Sequence, residues 1–244
     1  GNSGSASSGK VRIFSWNSTN STWVQRGADI NGTAEGHLLG TSVSLSSNGS
    51  AVAIGAPGNN QVSIYNWNTG SSAWVQRGAK IDGVAGSGAG QSVSLSSDSS
   101  VVAIGAPNSG AGLVRIYGWD AGSSTWIQRS TDIVGETTGD KSGQSVSLSS
   151  NGATVAIGAP YNKGSNTTAG GHVRVYRVGN SNTSLSTFTV NGTSVSNGSR
   201  IVLPEGTTSV SVVATPADTA AVLSIAGGSN LVSRSNTLAI TVTS

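Results

Sequence analysis

Short alternating runs of apolar and polar residues recur along this chain and predict β-strands throughout. A strand beginning Val-x-Ile or Val-x-Val stands at residues 11–16, 62–67, 114–119 and, without its tryptophan, 173–178. Both of its faces carry large apolar groups, Val11 and Ile13 on one and Phe14 and Trp16 on the other. A sheet built from such strands must be covered on both sides. A second strand follows in three of the four places, opening WVQRGADI at Trp23, WVQRGAKI at Trp74 and WIQRSTDI at Trp126. The intervening loops, residues 17–22, 68–73 and 120–125, are polar and turn-rich, so each pair reads as a hairpin. Its two tryptophans can pair across the strands.

A further hairpin is repeated more closely than any other segment. SVSLSSNGSAVAIGAP at residues 42–57 returns at 92–107 and 145–160. Val43 and Leu45 point one way, with Ser42, Ser44 and Ser46 the other, and Asn48-Gly49 is expected to supply positive-φ residues for a tight turn. Asp98-Ser99 is a weaker turn signal and Asn151-Gly152 restores it. The returning strand carries small residues on one face, suited to a crowded convergence of strands. The repeat period is about 50 residues, which indicates a propeller or another quasi-symmetric β-array.

The residues Gly-x-Ser-Val-Ser-Leu, Val-Ala-Ile-Gly-Ala-Pro and Val-Arg-Ile-Tyr, in that order, resemble the FG-GAP repeat of integrin α-subunit propellers over roughly residues 10–178. Gly55-Ala56-Pro57, Gly105-Ala106-Pro107 and Gly158-Ala159-Pro160 match its GAP portion. Leu39-Gly40, Ala89-Gly90 and Ser142-Gly143 stand where the family has Phe-Gly. The resemblance implies a propeller-like array of about three four-stranded repeats. The family's calcium loop is replaced by SSNGS, SSDSS and SSNGA, and a lone Asp98 cannot supply the roughly 6 to 8 oxygens calcium takes. No bound calcium and no other cofactor is expected.

Counted by the Val-Arg-Ile-Tyr strand, the array has three complete units and an unpaired fourth copy at residues 173–178. Propellers typically close with about 4 to 8 blades. Three readings stay open: part of a larger ring, a three-fold prism or trefoil-like arrangement, or strands supplied by another chain.

Residues 1–9 read as a flexible lead and 179–186 as a linker. Beyond it, alternating strands are predicted at 187–191, 199–204, 208–216, 221–226 and 237–243. TFTVNGTSV, VLPEGTTSVSVVATP and LAITVTS are similar to the bacterial cadherin-like module, which implies an Ig-like β-sandwich over residues 187–244. Its family usually continues with a further strand, so an open edge is expected here too. The fold class is therefore all-β, in two domains.

Composition narrows the functions. Of 244 residues 35% are hydrophobic, enough for a core, and only 9% are charged against roughly 25% in an ordinary domain. With a net charge of +3 and no Lys or Arg run, a nucleic-acid groove is not expected. Cysteine is absent, which excludes disulfides and thiol chemistry. No apolar run approaches the roughly 20 residues of a membrane-spanning helix, and Gly1 in place of a methionine points to a processed or truncated chain. Eight Asn-x-Ser/Thr sequons, at Asn17, Asn20, Asn31, Asn48, Asn166, Asn182, Asn191 and Asn197, are candidate N-glycosylation sites, although loops of this composition also generate such triplets by chance. Occupied, they imply a secreted or cell-surface protein.

Catalysis has little to work with. His37 and His172 lie in different repeats, and no serine sits in a nucleophile elbow. Asp29, Asp82, Asp132, Glu136 and Asp140 gather near unit ends, as solvated loop charges or as an acid/base pair. The Gly-rich run at 83–90 lacks the lysine of a phosphate loop. Arg26, Arg77 and Arg129 recur behind the second Trp of each hairpin, as cation-π or strand-capping groups or as an array for an anionic glycan. Trp16, Trp23, Trp67, Trp74, Trp119 and Trp126 pack the repeats or stack on sugars. The expectation is a non-enzymatic extracellular structural glycoprotein, a self-assembling subunit of a fibre, stalk or layer whose open edges are completed by neighbours. The alternative is a glycan-binding adhesin.

Overall fold

The computed structural model describes residues 7–164 and 170–178 in full, and the strand backbones 185–190, 193–194, 209–216 and 238–243. The chain divides into two compact units, Gly1–Gly179 and Asn180–Ser244. Every regular element among the described residues is a β-strand, so the protein is all-β.

The first unit opens with two short ribbons: β1 (Lys10–Val11) pairs with β4 (Ile30–Asn31), and β2 (Phe14–Asn17) with β3 (Thr22–Gln25). Two complete sheets follow. In the first, β5 (Ser42–Leu45), β6 (Ala51–Ala56), β7 (Gln61–Asn68) and β8 (Ala73–Gln76) lie side by side. The eight-residue β7 is longer than β8, and β9 (Ile81–Asp82) takes up its first two positions. The second repeats this with β10 (Ser92–Leu95), β11 (Val101–Ala106), β12 (Leu113–Asp120), β13 (Thr125–Gln128) and β14 (Ile133–Val134). A third sheet has β15 (Ser145–Leu148), β16 (Thr154–Ala159) and β17 (His172–Arg177).

The boundaries of the repeat differ from the sequence count. Each sheet begins at Ser-Val-Ser-Leu, and the Val-Arg-Ile-Tyr strand is its third member. The fourth copy, expected to be unpaired, is β17, joined to β16 from Thr154↔Arg177 to Ala159↔His172. Three equal four-stranded repeats are thus replaced by an N-terminal pair of ribbons, two complete sheets and one of three strands.

Each sheet is apolar on both faces because successive sheets pack face on face. Val62 and Ile64 of the first complete sheet meet Val93, Leu95, Val102 and Ile104 of the second. Val114 and Ile116 of the second meet Val155 and Ile157 of the third in the same way. Val11 and Ile30 cover Val52 and Ile54. The serines of the first strands tie the sheets together. Ser42 and Ser92 donate Oγ to the carbonyls of Gly90 and Gly143, at 2.7 and 2.8 Å. The amides of Leu95 and Leu148 donate to Ser44 and Ser94 Oγ, both at 2.9 Å.

The hairpin turn also differs in detail. Gly49 has φ 64° and Asn48 an ordinary negative φ, because Asn48 acts through its side chain. Its Oδ1 accepts from Ser46 Oγ, Ser50 N and Ser50 Oγ, closing the loop on itself. Asp98 and Asn151 do the same in the other copies. Ser99 takes φ 60° where the other turns have glycine, at a cost of roughly 1–2 kcal/mol.

Of the lead predicted for residues 1–9, residues 1–6 lie outside the described residues, while Ser8 O accepts from Leu39 N and Gly9 O from Gly32 N beside β4. In the second unit, β18 (Leu185–Val190) starts inside the predicted linker 179–186. It lies in an antiparallel sheet of order β19 (Thr193–Ser194), β18, β20 (Ser209–Pro216), β21 (Leu238–Thr243). The predicted strands at 199–204 and 221–226 lie outside the described residues.

Candidate functional site

The tryptophans form a relay from one sheet to the next. Trp16–Trp23, Trp67–Trp74 and Trp119–Trp126 are directly opposed across their hairpins. Their rings meet edge to face, with centroids 5.3–5.4 Å apart. The arginine of the preceding repeat completes the motif. Arg26 stacks 4.6 Å from the Trp67 ring and donates Nη1 to Gly49 O, while its own carbonyl accepts from Trp74 Nε1 at 2.7 Å. Arg77 lies 4.4 Å from the Trp119 ring and donates to Ser99 O and Oγ, and its carbonyl accepts from Trp126 Nε1. Burial lowers the Arg77 pKa from its ordinary value, with nearby Asp98 opposing it. The hydroxyl at Ser99 thus receives the Arg77 guanidinium, an interaction glycine cannot make.

Trp67, Trp74, Trp119 and Trp126 are half-buried in this role. Trp16 and Trp23 are exposed, and among the described residues no guanidinium lies over them. Arg129 occupies the third position of the arginine series. The relay through Arg26 and Arg77 is legible in the sequence only in part, since the sequence shows the arginine recurring but not that it serves the following repeat.

The carboxylates do not converge as an acid/base pair. Asp29 binds Lys10 and Arg12, Asp82 accepts from Gln61, and Asp132 binds Arg115 at 2.8 and 2.9 Å. Asp29 and Asp132 are equivalent positions, each paired with the arginine that follows the first valine of its Val-Arg-Ile strand, whereas Lys80 takes that place in the middle repeat and Asp82 lies two residues further on. Glu136 and Asp140 do approach each other, through Asn162, whose Nδ2 donates to both. Asp140 is buried and also accepts from Thr137 N, while Glu136 faces Arg174 and, at 3.9 Å, His172. Every partner belongs to the loops or to β17, so the cluster holds the last connection in place. His37 faces Thr33 Oγ1 at 3.2 Å. Among the described residues no group of three His, Cys, Asp or Glu is placed to ligate a metal.

Asp132 is held below the ordinary carboxylate range by Arg115, with Gln128 assisting and partial burial opposing. A depressed folded-state value means that this contribution is complete above the unfolded pKa, near 4, and is lost as pH falls through the folded value. Asp132→Asn is therefore expected to flatten the acid side of a melting-temperature profile below about pH 4, with little change in its slope near pH 7. Thermal melts from pH 2 to 7 check this.

Of the sequons, Asn20, Asn31 and Asn48 are exposed and Asn17 is half-buried. Asn17, Asn20 and Asn48 each engage Oδ1 within their own turn, with Thr19, Thr22 and Ser50. Asn166, Asn182, Asn191 and Asn197 lie outside the described residues.

The ends of the array expose what its middle buries. Val173 and Val175 of β17 are 69% and 66% exposed. Their equivalents Val62, Ile64, Val114 and Ile116 are buried under the following sheet. At the other end Val43 and Leu45 are exposed, whereas Val93 and Leu95 are buried.

No family model matches this chain, and no curated protein matches it. Solved structures that resemble it include hydrazine synthase of Kuenenia stuttgartiensis, at 11% identity and a TM-score of 0.42 over 84% of this chain and 50% of that one. The β-propeller domain of Cps50 (Swd1) from Myceliophteria thermophila has 14% identity and a TM-score of 0.45 over 71% and 48%. A protein from Lactobacillus plantarum has 13% identity and a TM-score of 0.45 over 86% and 62%. The chain spans about half to three-fifths of the length of these structures.

Proposed function

We propose that this chain is a non-enzymatic extracellular structural protein, a propeller-like array of FG-GAP-type repeats with a cadherin-like module, that associates end to end with copies of itself. One observation carries the reading: β17 exposes Val173 and Val175 on the face that both preceding repeats bury. The opposite end offers Val43 and Leu45, whose equivalents fill that kind of face within the chain. Such a contact is heterologous, and it propagates as a ring or a filament. The exposed sequons Asn20, Asn31 and Asn48 are consistent with a secreted, glycosylated subunit.

Sedimentation velocity across a hundredfold concentration range tests it. Species larger than the monomer are expected to grow with concentration, and Val173→Lys with Val175→Lys to weaken association by about tenfold or more, the loss of a buried apolar contact. A monodisperse monomer throughout overturns the reading.

The glycan-binding alternative is favoured at one place only, the exposed Trp16–Trp23 pair, because the other two pairs are engaged by arginines of the neighbouring repeat.

A further inference from the structure

A groove of about 390 Å3 runs between the second and third sheets, lined by Ile116, Ile133, Tyr176 and Val178 with Ser130 and Thr131 at its rim. The same site occurs twice earlier in the chain, and both times it is filled. Ile64 and Ile81 form the equivalent floor under Trp126, with Tyr117 alongside. Val11, Ile13 and Ile30 form it under Trp74, with Tyr65 alongside. In each case the tryptophan arrives on the fourth strand of the next sheet, β13 or β8, and its Nε1 donates to the carbonyl at Arg77 or Arg26. Among the described residues β17 has β16 on one side and no fourth strand on the other.

We propose that this groove is a socket for a tryptophan-bearing strand, and that its occupant is β3 of a second copy of the chain, with Trp23 as the inserted side chain. The proposal rests on the end-to-end reading above. β3 has the same Trp-Val-Gln sequence as β8, and all four of its residues are exposed. Trp23 is 67% exposed in its own copy. Among the described residues β3 pairs only with β2, through the edge that β8 and β13 turn to β7 and β12, so it takes the fourth place beside β17 by exchanging β2 for it, antiparallel as β8 and β13 are. Strand addition supplies the backbone bonds and the tryptophan supplies register, the division of labour usual where a strand joins a sheet edge.

The test uses the full chain, diluted to where it is monomeric, and a labelled peptide of residues 21–30. Saturable binding by fluorescence anisotropy is expected, weakened at least tenfold by Trp23→Ala in the peptide. It is expected to weaken equally with Thr131→Trp in the chain, a change at the exposed rim that blocks the groove without touching its floor. Val178→Asp is a second groove variant. Equal binding by the Trp23→Ala peptide, or binding indifferent to both groove variants, overturns the socket. In the full chain, Trp23→Ala is expected to abolish concentration-dependent growth. Growth that survives Trp23→Ala but is lost with Val173→Lys and Val175→Lys overturns the socket and leaves end-to-end association standing. Peptide binding by a chain that stays monomeric at every concentration overturns the second copy as occupant.

Discussion

Gly105→Ala is expected to destabilise the first unit by about 3–5 kcal/mol, from overpacking against backbone together with a lost inter-sheet hydrogen bond. Gly105 lies in β11, and a Cβ there would overlap the carbonyl of Gly143 in the next connection and the Oγ of Ser92. That hydroxyl and that carbonyl are hydrogen-bonded to each other at 2.8 Å, so relief in either direction breaks the bond or separates the sheets. Gly143 cannot yield easily, since it adopts φ 85° and its amide is bonded to Gly158 O. One glycine therefore supplies space and the other supplies conformation. Gly55, Ser42 and Gly90 form the same contact one repeat earlier, so Gly55→Ala should cost a similar amount. Gly158 is the control. A Cβ there meets Ser145 Oγ, a movable side chain, and among the described residues no backbone of a following sheet, and Gly158→Ala is expected to cost about 1 kcal/mol. Urea denaturation of the three variants measures the difference. Equal costs at Gly105 and Gly158 would show that the approach of the next sheet is not what demands glycine.

The contrast between those glycines shows where sequence reasoning reached and where it stopped. Alternation revealed the strands, and the recurrence of Trp67 opposite Trp74 and of Trp119 opposite Trp126 revealed the hairpins. Both signals are local, set by side chains a few residues apart across a turn. The partner of Arg77 was not legible in this way, because Trp119 recurs at the same spacing as Trp67, and recurrence alone does not say which tryptophan a repeated arginine serves. Ser92 and Ser94 posed the same problem: an alternating serine face reads as solvated until a second sheet is placed against it. The starting point of the sheet was lost for a related reason, since a periodic sequence can be cut anywhere, and only pairing shows that Ser42–Leu45 opens what Ala73–Gln76 completes. The turn at Asn48-Gly49 was recognised by residue type, but Asn48 contributes a side-chain acceptor rather than the positive φ its pairing with glycine suggested.

Arg77→Ala is expected to cost about 2–4 kcal/mol, which combines a half-buried cation-π contact with charge-assisted hydrogen bonds to the Ser99 turn. The guanidinium spans three elements of the next sheet: the turn after β10 through Ser99, the end of β12 through Trp119, and β13 through Trp126. Its loss leaves Ser99 at φ 60° with no donor from Arg77 on its carbonyl or hydroxyl, so the strain of that turn is no longer offset. Arg77→Lys should recover less than half of the loss, because an ammonium cannot lie flat on the ring and bond sideways to the turn at once. A double-mutant cycle locates the coupling. Arg77→Ala with Trp119→Ala is expected to show about 1–2 kcal/mol of interaction energy, whereas Arg77→Ala with Trp67→Ala should be additive within about 0.5 kcal/mol. Those two tryptophans occupy the same position in successive repeats, and only the first pair brings together residues from adjoining sheets. Coupling of Arg77 to Trp67 instead would mean that the arginine braces its own hairpin, and that the sheets are held to each other by apolar packing and serine bridges alone.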